Sequence, residues 1–157
     1  LKHNKNMKKT ILVIALFFIS LVVNAQTEEM FLESESRFGF VETVKTLEEN
    51  ASGNGWKVLI VHDLQASMKK ADKEVLPIKV FEVCNPKHSF KLLSQDDKRI
   101  YSSLMPCRFS VYEKADGKVY VSRMNTTFLS KQIGGLVEEV MTDATNETEE
   151  FLKTVLK

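Results

Sequence analysis

The fold is decided by the stretch FSVYEKADGKVYVSR, residues 109–123. Apolar and polar side chains alternate on both sides of residues 115–117, and a short turn containing Asp-Gly between two such runs is typical of a β-hairpin. The alternation predicts antiparallel strands over residues 109–114 and 118–123. Because every second side chain in these strands is apolar, other elements must cover one face of the sheet.

Outward from the hairpin, the hydrophobic periodicity predicts a mixture of strands and helices. Strands are predicted over residues 28–36, 56–61 and 78–83, with a further extended segment over 100–104. Helices are predicted over residues 40–50, 64–73 and 86–94, over a short segment capped by Asn125, and over residues 136–157 as one long helix or two short ones. The 86–94 helix begins with an Asn cap and a Pro, and its Phe90 and Leu93 are expected to face inward.

This order of elements predicts the fold class. Strands and helices are mixed along the chain, and one antiparallel hairpin is unmistakable. We therefore expect an α+β domain, a two-layer sandwich with a mostly antiparallel sheet and helices on one face. There are no internal repeats and no linkers that would divide the chain into further domains.

The N-terminus predicts export. Met7 and two lysines precede an apolar run over residues 11–23, and Ala25 supplies a small side chain at a cleavage site, which is the pattern of a secretory signal peptide. The run is shorter than the about 20 residues that cross a bilayer. Cleavage after Ala25 would leave residues 26–157 as a single periplasmic or secreted domain without stable membrane insertion.

Composition and charge exclude several classes of protein. With 43% hydrophobic residues and only 2 cysteines, the chain is neither a disordered tail nor a disulfide-dense miniprotein. The 22 basic side chains balance 21 acidic ones, but four lysines lie in residues 1–25, where there is no acid. The domain left after cleavage is mildly acidic and has no basic surface for nucleic acid.

The side chains that could carry chemistry lie at the ends of predicted strands: Cys84, Cys107, His62, Arg108 and His88. Phosphate-binding loops, nucleophile elbows and Cys-x-x-Cys pairs are missing from the sequence. Cys84 directly precedes a helix start, where the helix dipole favours a thiolate, and Cys107 adjoins the fixed positive charge of Arg108. We therefore expect both thiols to be unusually acidic. His88, in a first helical turn, is expected to be exposed.

Three interpretations of the cysteines stay open at this point. They form a disulfide closing a loop of about 22 residues, worth roughly 3 kcal/mol. Alternatively, they are a redox-active or metal-binding pair, in which sulfur and imidazole ligands from Cys84, Cys107 and His62, helped by His88 or Met105, suit copper, zinc or haem iron. In the third interpretation they are small buried hydrophobes.

Several segments together resemble the domain-of-unknown-function 302 family. The resemblance is carried by Phe-Gly-Phe at 38–40, Gly-Trp-Lys-Val at 55–58, Cys-Asn-Pro-Lys at 84–87, Leu-Met-Pro-Cys-Arg at 104–108 and Asp-Gly-Lys-Val-Tyr-Val-Ser at 116–122. It implies a compact α+β domain similar to the TATA-box-binding-protein class of folds, often a homodimer, and no settled activity. The paired cysteines indicate an exported subgroup of this family.

The leading hypothesis is a non-enzymatic binding or redox-accessory domain. Its ligand site would lie around Cys84, Cys107, His62 and Arg108. One alternative is a thiol-dependent enzyme, with Cys84 as nucleophile and His88 or His62 as base. The other is a disulfide-stapled interaction module without chemistry.

Overall fold

The computed structural model describes residues 30–157. The predicted signal peptide and the first residues of the predicted first strand lie outside these residues. The strands are β1 (Phe31–Glu35), β2 (Lys57–Asp63), β3 (Ile78–Cys84), β4 (Cys107–Glu113) and β5 (Val119–Met124). The helices are α1 (Phe40–Gly53), α2 (Leu64–Lys69), α3 (Pro86–Leu93), α4 (Thr126–Lys131) and α5 (Gly135–Leu152), and a 3-10 helix spans Asp96–Leu104.

The five strands form one antiparallel sheet in the order β1-β5-β4-β3-β2. The predicted hairpin is β4–β5, at the centre of this order, and its turn contains Gly117 with φ of 76°, a backbone conformation that favours glycine. The α+β fold class is confirmed.

Helices α1 and α5 pack on one face of the sheet, which we call the inner face. Alternate residues of the central strands point into this layer, among them Phe81, Val83, Phe109 and Val111, and all four are buried. The rings of Phe81 and Phe109 stack with centroids 5.1 Å apart. The residues between them in sequence point to the opposite, outer face, because successive side chains alternate along a strand.

A second, smaller core lies between α3 and α5. Its buried members are Leu92, Val137, Val140 and Met141, and side chains of the 3-10 helix pack against it. No helix within residues 30–157 has the length and apolar character needed to span a bilayer.

Two predictions about local structure were wrong in this region. The segment expected to be extended at 100–104 is part of the 3-10 helix, whose spacing of three places Tyr101 and Leu104 together against the second core. In α3 the inward residues are His88 and Leu92, whereas Phe90 is 72% exposed and Leu93 is also exposed. Packing against α5 selects the pair spaced by four residues.

The helix predicted over 64–73 is shorter in the structure, since α2 ends at Lys69.

Candidate functional site

Cys84 and Cys107 line the same small pocket between the sheet and the helices. Val83 lies opposite Cys107 in the antiparallel register of β3 and β4, and Cys84, the last residue of β3, lines the pocket together with both of them. The pocket encloses about 20 Å³, which is room for one water molecule. Its lining includes Trp56, His88, Met105 and Met141. The fold therefore brings two thiols, two thioethers and an imidazole around one small space.

Both cysteines are free thiols, and the structure does not contain the predicted disulfide. Cys84 Sγ lies 3.1 Å from Ser89 Oγ, its hydrogen-bond partner. A hydroxyl therefore occupies the position next to Cys84 Sγ where the enzyme hypothesis would place an imidazole.

The expectation of an acidic thiol was wrong for Cys107. Burial, together with the neighbouring Cys84, raises the pKa of the Cys107 thiol to about 11. Arg108 cannot oppose this effect, because its Nε donates to Glu82 Oε1 at 3.1 Å on the outer face. Adjacent residues of a strand point to opposite faces, so the positive charge is on the other side of the sheet from the thiol.

His88 is buried, contrary to the expectation that it is exposed. Its side chain is 5% exposed, and its Nε2 lies 2.9 Å from Glu147 Oε2 of α5. The two atoms are close enough for an ion pair, but they are not aligned for a hydrogen bond. The other ring nitrogen, Nδ1, also has no hydrogen-bond partner among the described residues. The Trp56 ring lies 5.9 Å from the imidazole, centroid to centroid. A buried nitrogen without a hydrogen-bond partner lowers the stability of the fold. It can accept a hydrogen bond from a ligand or donate one to it, depending on which nitrogen carries the proton.

Glu147 organises the polar side of the pocket. Its Oε2 accepts hydrogen bonds from Trp56 Nε1 and Asn85 Nδ2, each at 3.2 Å, and Lys87 Nζ lies 3.7 Å from Oε1. Burial alone would raise the pKa of Glu147, but interactions with His88, Trp56 and Lys87 lower it below its ordinary value. A charged carboxylate therefore stands against the buried imidazole at neutral pH.

The remaining predicted site residues lie elsewhere. His62 Nε2 is 3.3 Å from Glu82 Oε1 on the outer face, beside Arg108. The five predicted residues thus divide into two groups: Cys84, Cys107 and His88 share the inner pocket, and His62 and Arg108 share an ion-pair cluster on the other side of the sheet. Within residues 30–157 no three His, Cys, Asp or Glu side chains are arranged to hold a metal ion.

Sequence reasoning missed Glu147 and Trp56 as members of the site. A signal for Glu147 is present in the sequence, because it lies three residues after Ala144 and four before Phe151, both of which are buried on the apolar stripe of α5. A carboxylate at a stripe position must find polar partners inside the fold. Trp56 was assigned only to a buried strand, and nothing in its sequence context predicts that its Nε1 donates to a carboxylate.

Comparison with known proteins agrees with the sequence resemblance. The family model of the domain of unknown function DUF302 matches residues 32–157. An uncharacterized protein of Aquifex aeolicus (strain VF5) is 27% identical over 153 residues, covering 95% of this chain and 97% of that protein. The crystal structure of an uncharacterized conserved DUF302 protein from Bacillus stearothermophilus matches with a TM-score of 0.70 at 21% identity, over 79% of this chain and 96% of that chain. That likeness shows a shared fold, while membership of an exported subgroup stays a prediction. The chain belongs to the DUF302 family.

Proposed function

We propose that this protein is an exported, non-enzymatic binding domain that holds a soft metal cation, Cu(I), between the thiols of Cys84 and Cys107 in the pocket that they share with His88. The proposal places the protein in the periplasm or outside the cell, which is supported by the signal-peptide pattern of residues 1–25. Its site keeps three of the five residues singled out from the sequence and leaves out His62 and Arg108.

The observation that carries the proposal is the set of donor atoms around one space. Two thiols, the thioethers of Met105 and Met141, and the unpartnered Nδ1 of His88 belong to residues that line the same pocket. Thiolate and thioether ligands favour soft cations, among them Cu(I).

Glu147 and His88 close the polar side of the pocket without completing a set of three ligands. The carboxylate of Glu147 lies 2.9 Å from His88 Nε2, and the described residues contain no group of three His, Cys, Asp or Glu side chains arranged around a metal. The two thiols are therefore the ligands of the proposal, since Cu(I) accepts two-coordinate binding by sulfur.

Zinc and haem fit this pocket less well. A structural zinc site is a closed tetrahedron of nitrogen, sulfur or carboxylate ligands, and no cluster of three such side chains exists among the described residues. A haem is far larger than a space of about 20 Å³. Cu(I) binding by two thiols is balanced by the release of two protons, giving a bis-thiolate complex, and metal coordination overrides the burial that keeps Cys107 protonated.

Competition for Cu(I) tests the proposal. The reduced protein is titrated without oxygen against bathocuproine disulfonate, whose Cu(I) complex is coloured. We expect one Cu(I) per chain, and in Cys84→Ser and Cys107→Ser a loss of affinity greater than the about 10- to 100-fold that altering a residue behind a ligand costs.

His62→Ala is the matched control, because it removes an imidazole from the other face of the sheet and should leave Cu(I) affinity unchanged. Thermal unfolding of each variant separates a lost ligand from a lost fold. The proposal is refuted if the chelator removes Cu(I) equally easily from the parent protein and from Cys84→Ser. Stoichiometric Zn²⁺ binding of higher affinity than Cu(I) would also refute it.

A further inference from the structure

A second and larger cavity lies beside the cysteine pocket. It encloses about 110 Å³ and is bounded by the segment 103–108, the end of β5, the start of α4 and the last turns of α5. One wall is apolar, with Leu104, Met105, Pro106 and Leu152, and the other is polar. This volume is smaller than the roughly 150 Å³ that holds a benzene molecule in a protein core, but the cavity is partly open to solvent, so part of a larger ligand can extend beyond it.

The polar wall is built around Arg123, whose side chain is 11% exposed. Its Nε and NH2 donate to the two oxygens of Glu149 at 2.6 and 2.7 Å, and its NH1 donates to Ser34 Oγ at 3.1 Å. A guanidinium carries five N–H groups, so two of them have no partner among the described residues. The ion pair with Glu149 holds this guanidinium in place, and Arg108, which also lines the cavity, is paired with Glu82. Both cations at the cavity therefore already have a carboxylate partner.

Two threonine hydroxyls complement these donors. Thr145 Oγ1 donates to Met141 O at 2.8 Å, so Thr126 must be the donor in its hydroxyl contact with Thr145. Thr148 Oγ1 donates to Thr145 O at 2.9 Å. Each hydroxyl has a single proton, and therefore the oxygens of Thr126 and Thr148 face the cavity as acceptors only.

We propose that this cavity is a binding site for a small uncharged molecule that carries a primary carboxamide on an apolar body. The amide oxygen accepts from the unpartnered N–H groups of Arg123, and the amide NH2 donates to Thr126 and Thr148. The apolar body packs on Met105 and Leu152. An anion is disfavoured by Glu149 and a cation by Arg123, since each charge already has its partner. This cavity shares Met105, Pro106 and Cys107 with the cysteine pocket, but binding of the amide does not require a bound metal.

Ligand-observed and ¹⁵N NMR titrations with three matched probes test the inference: benzamide, benzoate and benzamidine have one shape and differ in charge and in donors and acceptors. We expect benzamide to saturate at about millimolar concentration, as befits a ligand of this size. Its shifts should be confined to the segment 103–108, to α4 and to the end of α5. The other two probes should bind at least about tenfold more weakly.

Variants of one residue locate the site. Thr148→Leu fills the cavity and should weaken benzamide binding at least about tenfold, while Thr148→Val keeps the volume and removes the hydroxyl, with both its acceptor and its bond to Thr145 O. Thr142→Leu is the matched control, because it changes the same residue type on the same helix away from the cavity. Equal binding of benzamide and benzoate, absence of saturation, or unchanged affinity in both Thr148 variants would overturn the assignment.

Discussion

The ion pair between Arg123 and Glu149 should contribute far more to stability than other ion pairs of this protein. It joins β5 to α5 through two parallel hydrogen bonds, and its side chains are 11% and 30% exposed. Exposed pairs are worth about 0.2–1 kcal/mol, and breaking a fully buried pair costs about 3–5 kcal/mol. Because this pair lies between these limits, we expect Glu149→Gln to lower the free energy of unfolding by about 2–3 kcal/mol.

Urea denaturation followed by circular dichroism measures this loss. For an m-value of about 2 kcal/mol/M, the transition midpoint should fall by about 1–1.5 M with no change in slope. Glu150→Gln is the control, because Glu150 is the next residue of α5 and pairs with Lys153 at 67% and 66% exposure. Its midpoint should move by no more than about 0.3 M.

A double-mutant cycle separates the pair from its surroundings. Arg123→Met leaves the charge of Glu149 without its partner. The double variant, Arg123→Met with Glu149→Gln, carries neither charge. We expect a coupling free energy of about 1.5–2.5 kcal/mol, since the double variant should be less destabilised than the sum of the single changes. Additive losses, or equal losses in Glu149→Gln and Glu150→Gln, would show that the two hydrogen bonds contribute no more than an exposed pair.

Three further outcomes follow from the same structure. Leu92→Ala should lose about 2–5 kcal/mol of unfolding free energy, whereas Phe90→Ser should change it by less than about 0.5 kcal/mol. A larger loss in Phe90→Ser than in Leu92→Ala, measured by urea denaturation, would show that Phe90 points inward after all. Glu147→Gln should be less stable than the parent above about pH 4.5. This difference in unfolding free energy should vanish as pH falls through the lowered pKa of Glu147, because the glutamate of the parent is then as uncharged as the glutamine of the variant. A difference that stays constant down to pH 2 would contradict this. In Cys84→Ser, the rate of Cys107 alkylation by iodoacetamide should still rise about tenfold per pH unit well beyond pH 8, because burial, the larger cause of the raised pKa of Cys107, is unchanged. A plateau near pH 8 would show that the thiol is acidic.

The sheet was largely predictable from local sequence, because its strands alternate in polarity and its hairpin has a turn with defined chemistry. The predicted strands at 56–61, 78–83, 109–114 and 118–123 differ from β2 to β5 by at most two residues at either end. The prediction of an extended segment at 100–104 failed because Ile100 and Tyr101 favour strands, whereas contact with the second core selects a 3-10 helix. Local preference could not include that contact.

The candidate site was predictable only in part, for a reason of geometry. Alternation along β4 places Cys107 with Phe109 on one face and Arg108 on the other, so the sequence already contained the information that separates Arg108 from the thiol. Helix α3 offered no such rule. Its apolar residues Phe90 and Leu93 form one face and His88 with Leu92 another, and only the position of α5 decides between them.

One turn of α5 interrupts an otherwise apolar helix face and accounts for both candidate sites. Glu147, Thr148 and Glu149 stand between the buried residues Ala144 and Phe151. Glu147 faces the cysteine pocket through His88 and Trp56, and Thr148 and Glu149 face the larger cavity with Arg123. A turn of leucines there would pack without any need for partners, whereas these side chains require Arg123, Asn85 and Trp56 to satisfy them. Since polar residues in a core are stable only with such matched partners, the position of this turn marks the part of the fold in which we propose binding.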